Sequence, residues 1–103
     1  MKSPDALKTI GEVSNLLNVP IYVIRFWEKK ISIIKPIKKN NGIRFYDVEQ
    51  IDLLKTLRKL LYEKKFSIEG AKNQLLIEKK IDKEKKQLVL DLKQLIVEMK
   101  ELI

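Results

Sequence analysis

Basic side chains gather in one short stretch of the sequence, KPIKKNNGIRFY, which runs from Lys35 to Tyr46. The stretch carries four bases and no acid, and two aromatic residues close it. Lysine and arginine at this density attract polyanions, and arginine can also form paired hydrogen bonds with phosphate oxygens. The chemistry that these residues predict is binding of a polyanion, with nucleic acid as the first candidate and an acidic membrane surface as the second.

The positive charge is concentrated in the N-terminal two thirds of the chain. The formal net charge is +8, and residues 1–66 carry 14 Lys and Arg against 7 Asp and Glu, whereas residues 67–103 carry 8 against 7. Arg25, Lys29 and Lys30 lie just upstream of the basic stretch, and Glu28 is the one acid among residues 20–46. The anion-binding surface is therefore expected in this part of the chain.

The composition argues against an enzyme. The chain has no histidine and no cysteine, so it lacks the usual general base, a thiolate and the commonest metal ligands. Its lysines and carboxylates have no recognisable catalytic spacing, and we expect no metal or other cofactor. No apolar run approaches the roughly 20 residues that span a bilayer. We therefore expect a soluble cytoplasmic protein that neither spans nor binds a membrane.

Two short helices joined by a tight turn are predicted before the basic stretch. Residues 1–8 are expected to form a flexible lead, and Thr9 with Glu12 has the spacing of a capping box. Asn18 suits the left-handed end of a first helix, and Pro20 suits the first turn of a second one. The pattern is typical of a helix-turn-helix.

The second predicted helix, which ends near Lys30, separates into two faces when drawn as a wheel. One face is apolar and is predicted to pack inward: Pro20, Val23, Ile24 and Trp27. The other face is basic and aromatic and is predicted to point outward: Tyr22, Arg25, Phe26 and Lys29.

A β-hairpin and two more helices are predicted after it. KPIKK and IRFY flank the turn Asn40-Asn41-Gly42, which indicates a two-stranded hairpin beside the helix-turn-helix, an arrangement known as a wing. Asp47 and Ser67 suit the N-caps of the next two helices. The inward positions of the first of them are Val48, Ile51, Leu54, Leu57 and Leu61, widened by Leu53 and Leu60.

The last segment differs from the rest because its apolar residues repeat in steps of three and four along one side. The predicted dimerisation residues are Leu88, Val89, Leu92, Leu95, Ile96, Met99, Leu102 and Ile103. A second copy of the chain, the chain's own globular part or a membrane could cover this stripe. Acids as well as bases on its polar face, and the lack of Trp or Phe, favour a second copy over a membrane.

The predicted fold class is mainly α: a winged helix-turn-helix with a small two-stranded β-hairpin wing, followed by a long C-terminal dimerisation helix. The predicted divisions are a flexible N-terminus at residues 1–8, a DNA-binding domain at 9–78 and a C-terminal coiled-coil helix at 81–103.

Four segments, in this order, resemble the DNA-binding domain of the MerR family of transcription regulators. TIGEVSNLLNVP resembles the family's opening helix and turn, and VIRFWEKK resembles its recognition-helix signature. KPIKKNNGIRFYDVEQIDLLKTL resembles its wing and following helix, and FSIEGAKNQL resembles a further helix start in which Lys65 stands where a glycine is usual. The resemblance covers about Thr9 to Leu76.

The resemblance implies a homodimer, joined by an antiparallel coiled coil, that binds a pseudo-palindromic double-stranded DNA operator. It also implies distortion of promoter DNA, which decides whether RNA polymerase can engage. Arg25 matches the signature arginine of the recognition helix, and Arg44 and Tyr46 match the arginine and tyrosine of the wing. Phe26 and Trp27 replace two tyrosines of the family. The predicted DNA-binding residues are Ile21, Tyr22, Val23, Arg25, Lys29, Lys38, Lys39, Asn41, Arg44 and Tyr46.

Four alternatives stay open at this point. The same winged scaffold could belong to an excisionase-like or architectural protein that bends DNA, or the C-terminal stripe could belong to a helical adaptor between proteins. The wing lysines could be a solvated turn that keeps an edge strand from pairing with other chains. Arg25 could be a surface ion-pair partner of Glu28 or Glu12.

Overall fold

The computed structural model describes residues 7–102. In chain order these residues form β1 (Lys8–Thr9), α1 (Ile10–Leu17), α2 (Ile21–Lys30), β2 (Ile37–Lys38), β3 (Arg44–Tyr46), α3 (Val48–Arg58), a π-helical turn (Lys59–Glu63) and α4 (Ile68–Glu101). The predicted class, a mainly helical winged helix-turn-helix with a long C-terminal helix, is confirmed. Residues 1–6 of the predicted flexible lead, and Ile103, lie outside the described residues.

The sheet has three antiparallel strands within the described residues, in the order β1, β3, β2. The predicted hairpin is present, with Lys38 opposite Arg44 and Ile37 opposite Phe45. The prediction of two strands is nevertheless incomplete, because Lys8 and Thr9 pair with the other edge of β3. Lys8 is therefore part of the sheet and not of a flexible lead. A strand of two residues is too short for an alternating pattern to reveal it.

The helix-turn-helix is held at both ends of α1 by local hydrogen bonds. The Thr9 hydroxyl accepts from the Glu12 N–H at 3.2 Å, and the Glu12 carboxylate accepts from the Thr9 N–H at 3.0 Å, which completes the predicted capping box. These bonds hold the pKa of Glu12 below its usual value. Asn18 ends the helix in the left-handed conformation, with φ of 54°, as its residue type suggests.

The core lies between the helix-turn-helix, the sheet and α3. Its largest fully buried side chains include Trp27 and Ile24 from α2 and Leu54 and Leu57 from α3. The predicted inward face of α2 is therefore correct at these two positions. Val48 is 50% exposed, so its predicted inward position is wrong. It is the first residue of α3 and lies at the end of the packed face.

The helix that Asp47 caps does not continue beyond Arg58 as a regular α-helix. It widens into the π-helical turn at Lys59–Glu63, and Lys65 then takes a left-handed conformation with φ of 57°. The Tyr62 ring of this turn lies 6.2 Å from the Trp27 ring, and the Arg58 guanidinium lies 5.3 Å from the Tyr62 ring. The contact between Trp27 and Tyr62 packs α2 against the π-helical turn.

The helix that begins after Ser67 continues past residue 78 without a break. Ser67 caps it through a 3.0 Å hydrogen bond from the Gly70 N–H. Ala71 and Leu75 pack against the core, whereas the side chains from Leu76 to Leu102 are exposed. The predicted separate helix at residues 81–103 is therefore, as far as Glu101, the distal part of α4. No helix within the described part of the chain is long and apolar enough to cross a membrane.

Candidate nucleic-acid interface

The outward face of α2 is exposed as predicted. Tyr22 is the most exposed of its aromatic residues at 74%, and Phe26 is 46% exposed. Arg25 and Lys29 are exposed on the same helix, and Ile21 lies at its start. The helix thus presents cations and flat apolar surfaces together, a combination suited to phosphates and base edges.

Val23 differs from its neighbours Ile21 and Tyr22. It is half-buried and packs against the core cluster, as its place on the inward face of the wheel suggests. Its methyl groups are therefore less available for contact with DNA than those of Ile21.

The wing turn is a built structure with exposed lysines. Gly42 has φ of 80°, and its N–H donates to the Lys39 carbonyl at 2.9 Å. The Asn41 side chain accepts from the Ile43 N–H at 3.1 Å, and the Lys39 ammonium lies 6.0 Å from the Phe45 ring. Asn41 therefore stabilises the turn through its carboxamide oxygen. Lys38, Lys39 and Asn41 are all exposed.

Glu28 connects α2 to the wing. One carboxylate oxygen accepts a hydrogen bond from Arg44 Nε at 2.9 Å, and the other lies 3.7 Å from Lys38 Nζ. The Arg44 side chain is 26% exposed, so it is much less available to an external phosphate than its residue type suggests. Since Glu28 contacts Arg44 and Lys38, and the Glu12 carboxylate accepts from Thr9, neither of these acids forms the alternative ion pair with Arg25.

Tyr46 is predicted to contact DNA, but it lies in the core. Its side chain is fully buried, with 0% exposure, and its hydroxyl has no hydrogen-bond partner within the described residues. Burial and the negative charge of Glu28 raise the pKa of Tyr46 to about 12. The tyrosine is a core residue of the central strand, so the expectation that it contacts DNA is corrected. Alternation along β3 carries it inward.

The exposed members of the predicted set form one region, because the contact between Glu28 and Lys38 brings the wing beside α2. The structure removes Tyr46 from this region and leaves Arg44 and Val23 only partly available. The residues that remain available are Ile21, Tyr22, Arg25, Lys29, Lys38, Lys39 and Asn41. The ion-pair role of Glu28 is not visible in the sequence pattern, because 16 residues separate it from Arg44.

The C-terminal stripe is uncovered in the single chain. Leu88 is 59% exposed, and Leu92 and Leu95 are each 51% exposed, so the stripe does not fold back onto the globular part. Val89, Ile96, Met99 and Leu102 are exposed as well. Ile81, 44% exposed, extends the same stripe toward the core.

Leu90 and Val97 are also exposed but lie about half a helical turn away from the stripe.

Of the described residues, no group of three or more histidines, cysteines or carboxylates could hold a metal ion.

The helix-turn-helix, the wing and the long helix define the chain as a winged helix-turn-helix protein. The family model for MerR HTH family regulatory proteins matches residues 8–76, and the chain therefore belongs to this family. Among solved structures, the chain is similar to HiNmlR, described as a MerR family regulator lacking the sensor domain, bound to promoter DNA. The two chains share 18% sequence identity and a TM-score of 0.59, over 92% of this chain and 76% of HiNmlR. No curated protein matches the sequence.

Proposed function

We propose that the chain is a transcription regulator that binds double-stranded DNA as a homodimer on a pseudo-palindromic operator. The observation that carries the proposal is the exposed basic surface shared by α2 and the wing. Membership of the MerR HTH family, and the likeness in fold to HiNmlR bound to promoter DNA, support the same function.

The start of α2 would enter the major groove. There Ile21 and Tyr22 would lie nearest the base edges, with Arg25 and Lys29 reaching phosphate or guanine. Lys38 and Lys39 would bind the flanking phosphates. Because few of these side chains can read hydrogen-bond patterns, contacts with thymine methyl groups and the deformability of the operator would supply part of the specificity.

A second copy would cover the stripe on α4 and present the basic surface twice. At about 1.5 to 3 kcal/mol for each fully buried aliphatic side chain, covering the stripe from both chains gives a large driving force for pairing. We propose an antiparallel coiled coil, which relates the two α2 helices by two-fold symmetry. The operator would then have matching half-sites, and distortion of the DNA between them would affect engagement by RNA polymerase.

Selection of bound sequences from a random duplex DNA library tests this function. We expect enrichment of sites with two-fold symmetry and one fixed half-site spacing. The enriched site should bind in a mobility-shift titration, with affinity that falls steeply as salt is raised. Lack of enrichment, together with no binding to any duplex at low salt, would refute the proposal. The double variant Arg25→Ala and Lys29→Ala is compared with the wild type in the same titration. It should fold normally and lose affinity for the enriched site.

A further inference from the structure

Glu28 is an acid placed inside a cationic surface, and its two partners come from two different strands. Arg44 lies on β3 and Lys38 on β2, opposite each other in the hairpin register. The Glu28 side chain is only 14% exposed, so its carboxylate is held between α2 and the wing. Carboxylate and phosphate oxygens accept hydrogen bonds from the same cationic donors.

The two ion pairs differ in strength. Arg44 donates a hydrogen bond from Nε at 2.9 Å, and both side chains of this pair are largely covered. Lys38 lies at 3.7 Å, and its side chain is 58% exposed. Exposed ion pairs at this separation contribute little and are screened by salt. Lys38 can therefore leave Glu28 at small cost, whereas Arg44 is held.

We propose that Glu28 is a positioning residue that occupies the place of a phosphate between α2 and the wing. It holds Arg44 permanently, which fixes the wing against α2, and it holds Lys38 until a DNA phosphate replaces it. Arg44 is then a structural residue, and Lys38 is the wing cation that binds DNA. The inference rests on the proposed function and assigns roles within its DNA-binding surface.

This arrangement also affects specificity. Every duplex offers phosphates, so a free Lys38 would strengthen binding to all sequences alike. Competition from Glu28 weakens this general attraction. The affinity for operator DNA is weakened less. Operator DNA binds α2 and the wing together, and the wing is already held in the position that this binding requires. Glu28 therefore increases the ratio of operator affinity to random-DNA affinity.

The variant Glu28→Gln tests the proposal because it removes the charge and keeps an oxygen that can accept from Arg44. We expect its affinity for random duplex DNA to rise about three- to tenfold, and the ratio of operator to random affinity to fall. The gain should need Lys38: in a Lys38→Ala background, Glu28→Gln should change random-DNA affinity less than about twofold. Such a double-mutant cycle isolates the coupling of the two residues.

A charge control separates this effect from a change in net charge. Glu101→Gln makes the same charge change at the far end of α4 and should leave both affinities within about twofold. Thermal unfolding of each variant establishes that it is folded. An equal gain with and without Lys38, or no gain in Glu28→Gln, would overturn the inference while wild-type binding to DNA still supported the proposed function. Failure of the wild-type protein to bind any duplex would instead overturn the proposed function.

Discussion

The Glu28 carboxylate and Arg44 Nε lie 2.9 Å apart, and this contact joins the second helix to the central strand of the sheet. Because Arg44 lies in the wing and matches the wing arginine of the family, it is predicted to contact DNA. Its side chain instead points to an acid of its own chain. Under the proposed function, Arg44 would therefore serve DNA binding indirectly, by holding the wing in place.

Replacing Arg44 should lower stability. We expect Arg44→Ala to reduce the free energy of unfolding by roughly 1.5 to 2 kcal/mol, because Glu28 loses a charge-assisted hydrogen bond in a largely covered place. Arg44→Lys should recover only part of this loss, since an ammonium group lacks the planar arrangement of donors. Denaturation by urea measures both. The matched control is the exposed Arg25→Ala, expected to stay within about 0.5 kcal/mol of wild type. Equal effects at the two positions would contradict the prediction.

Lys65 should be replaceable by glycine with a gain in stability. Its φ of 57° is costly for a residue with a side chain, by about 1 to 2 kcal/mol, and glycine avoids this cost but loses more chain entropy on folding. We expect Lys65→Gly to raise the free energy of unfolding by about 0.5 to 1 kcal/mol. Lys64→Gly is the control. Lys64 has φ of −93°, so glycine at this position should lower the free energy of unfolding. A loss of stability in Lys65→Gly would refute the argument.

Tyr46 should make stability depend on alkaline pH. Its pKa is raised from 10.0 to about 12 in the folded protein, so the unfolded chain releases the phenolic proton first. The contribution of this group to stability is therefore complete below pH 10 and is lost as pH rises from about 10 to 12. Tyr46→Phe should be at least as stable at neutral pH, since the buried hydroxyl has no hydrogen-bond partner within the described residues.

The measurement for Tyr46 is the difference in unfolding free energy between wild type and Tyr46→Phe across this pH range. Comparing the two proteins cancels the titration of the lysines, which both contain. The difference should move in favour of the phenylalanine variant as pH rises. A constant difference would show that Tyr46 ionises equally easily in both states.

Leu88 and Leu90 provide a matched pair for the proposed dimer. Each is 59% exposed, but Leu88 lies on the stripe and Leu90 on the other side of α4. We expect Leu88→Ser to raise the dimer dissociation constant at least tenfold, because each dimer loses two buried leucines. Leu90→Ser should leave it within about threefold. Sedimentation at several protein concentrations measures both, and similar effects of the two substitutions would show that the stripe is not the dimer contact.

Features that depend on neighbouring residues could be predicted from the sequence. Thr9 with Glu12, and Asp47 with the Gln50 N–H, form the N-caps that their spacing indicates. Asn18 ends α1 as expected, and Trp27 is buried because helical periodicity places it beside Ile24. In each case the physical cause lies within a few residues of chain.

Features that depend on distant partners could not be predicted. The Gln50 side chain binds the Lys35 N–H and the Ile33 carbonyl, which lie far from it in sequence, and so anchors the loop before the wing. The contact of Glu28 with Arg44 and the pairing of Lys8 with Tyr46 likewise appear only once the chain has folded. As a result, the exposure of Arg25, Lys29, Lys38 and Lys39 could be predicted from the sequence, whereas the structural positions of Arg44 and Tyr46 could not.

The uninterrupted course of α4 from Ile68 to Glu101 has a mechanical consequence. This helix is about 50 Å long, and each residue adds about 1.5 Å of length and 100° of rotation. In a pair of chains, its length and helical rotation would set both the distance and the angle between the two DNA-binding domains. Inserting seven residues, about two turns, would lengthen this distance while nearly preserving the angle, whereas inserting two would rotate each DNA-binding domain by about 200° relative to the stripe.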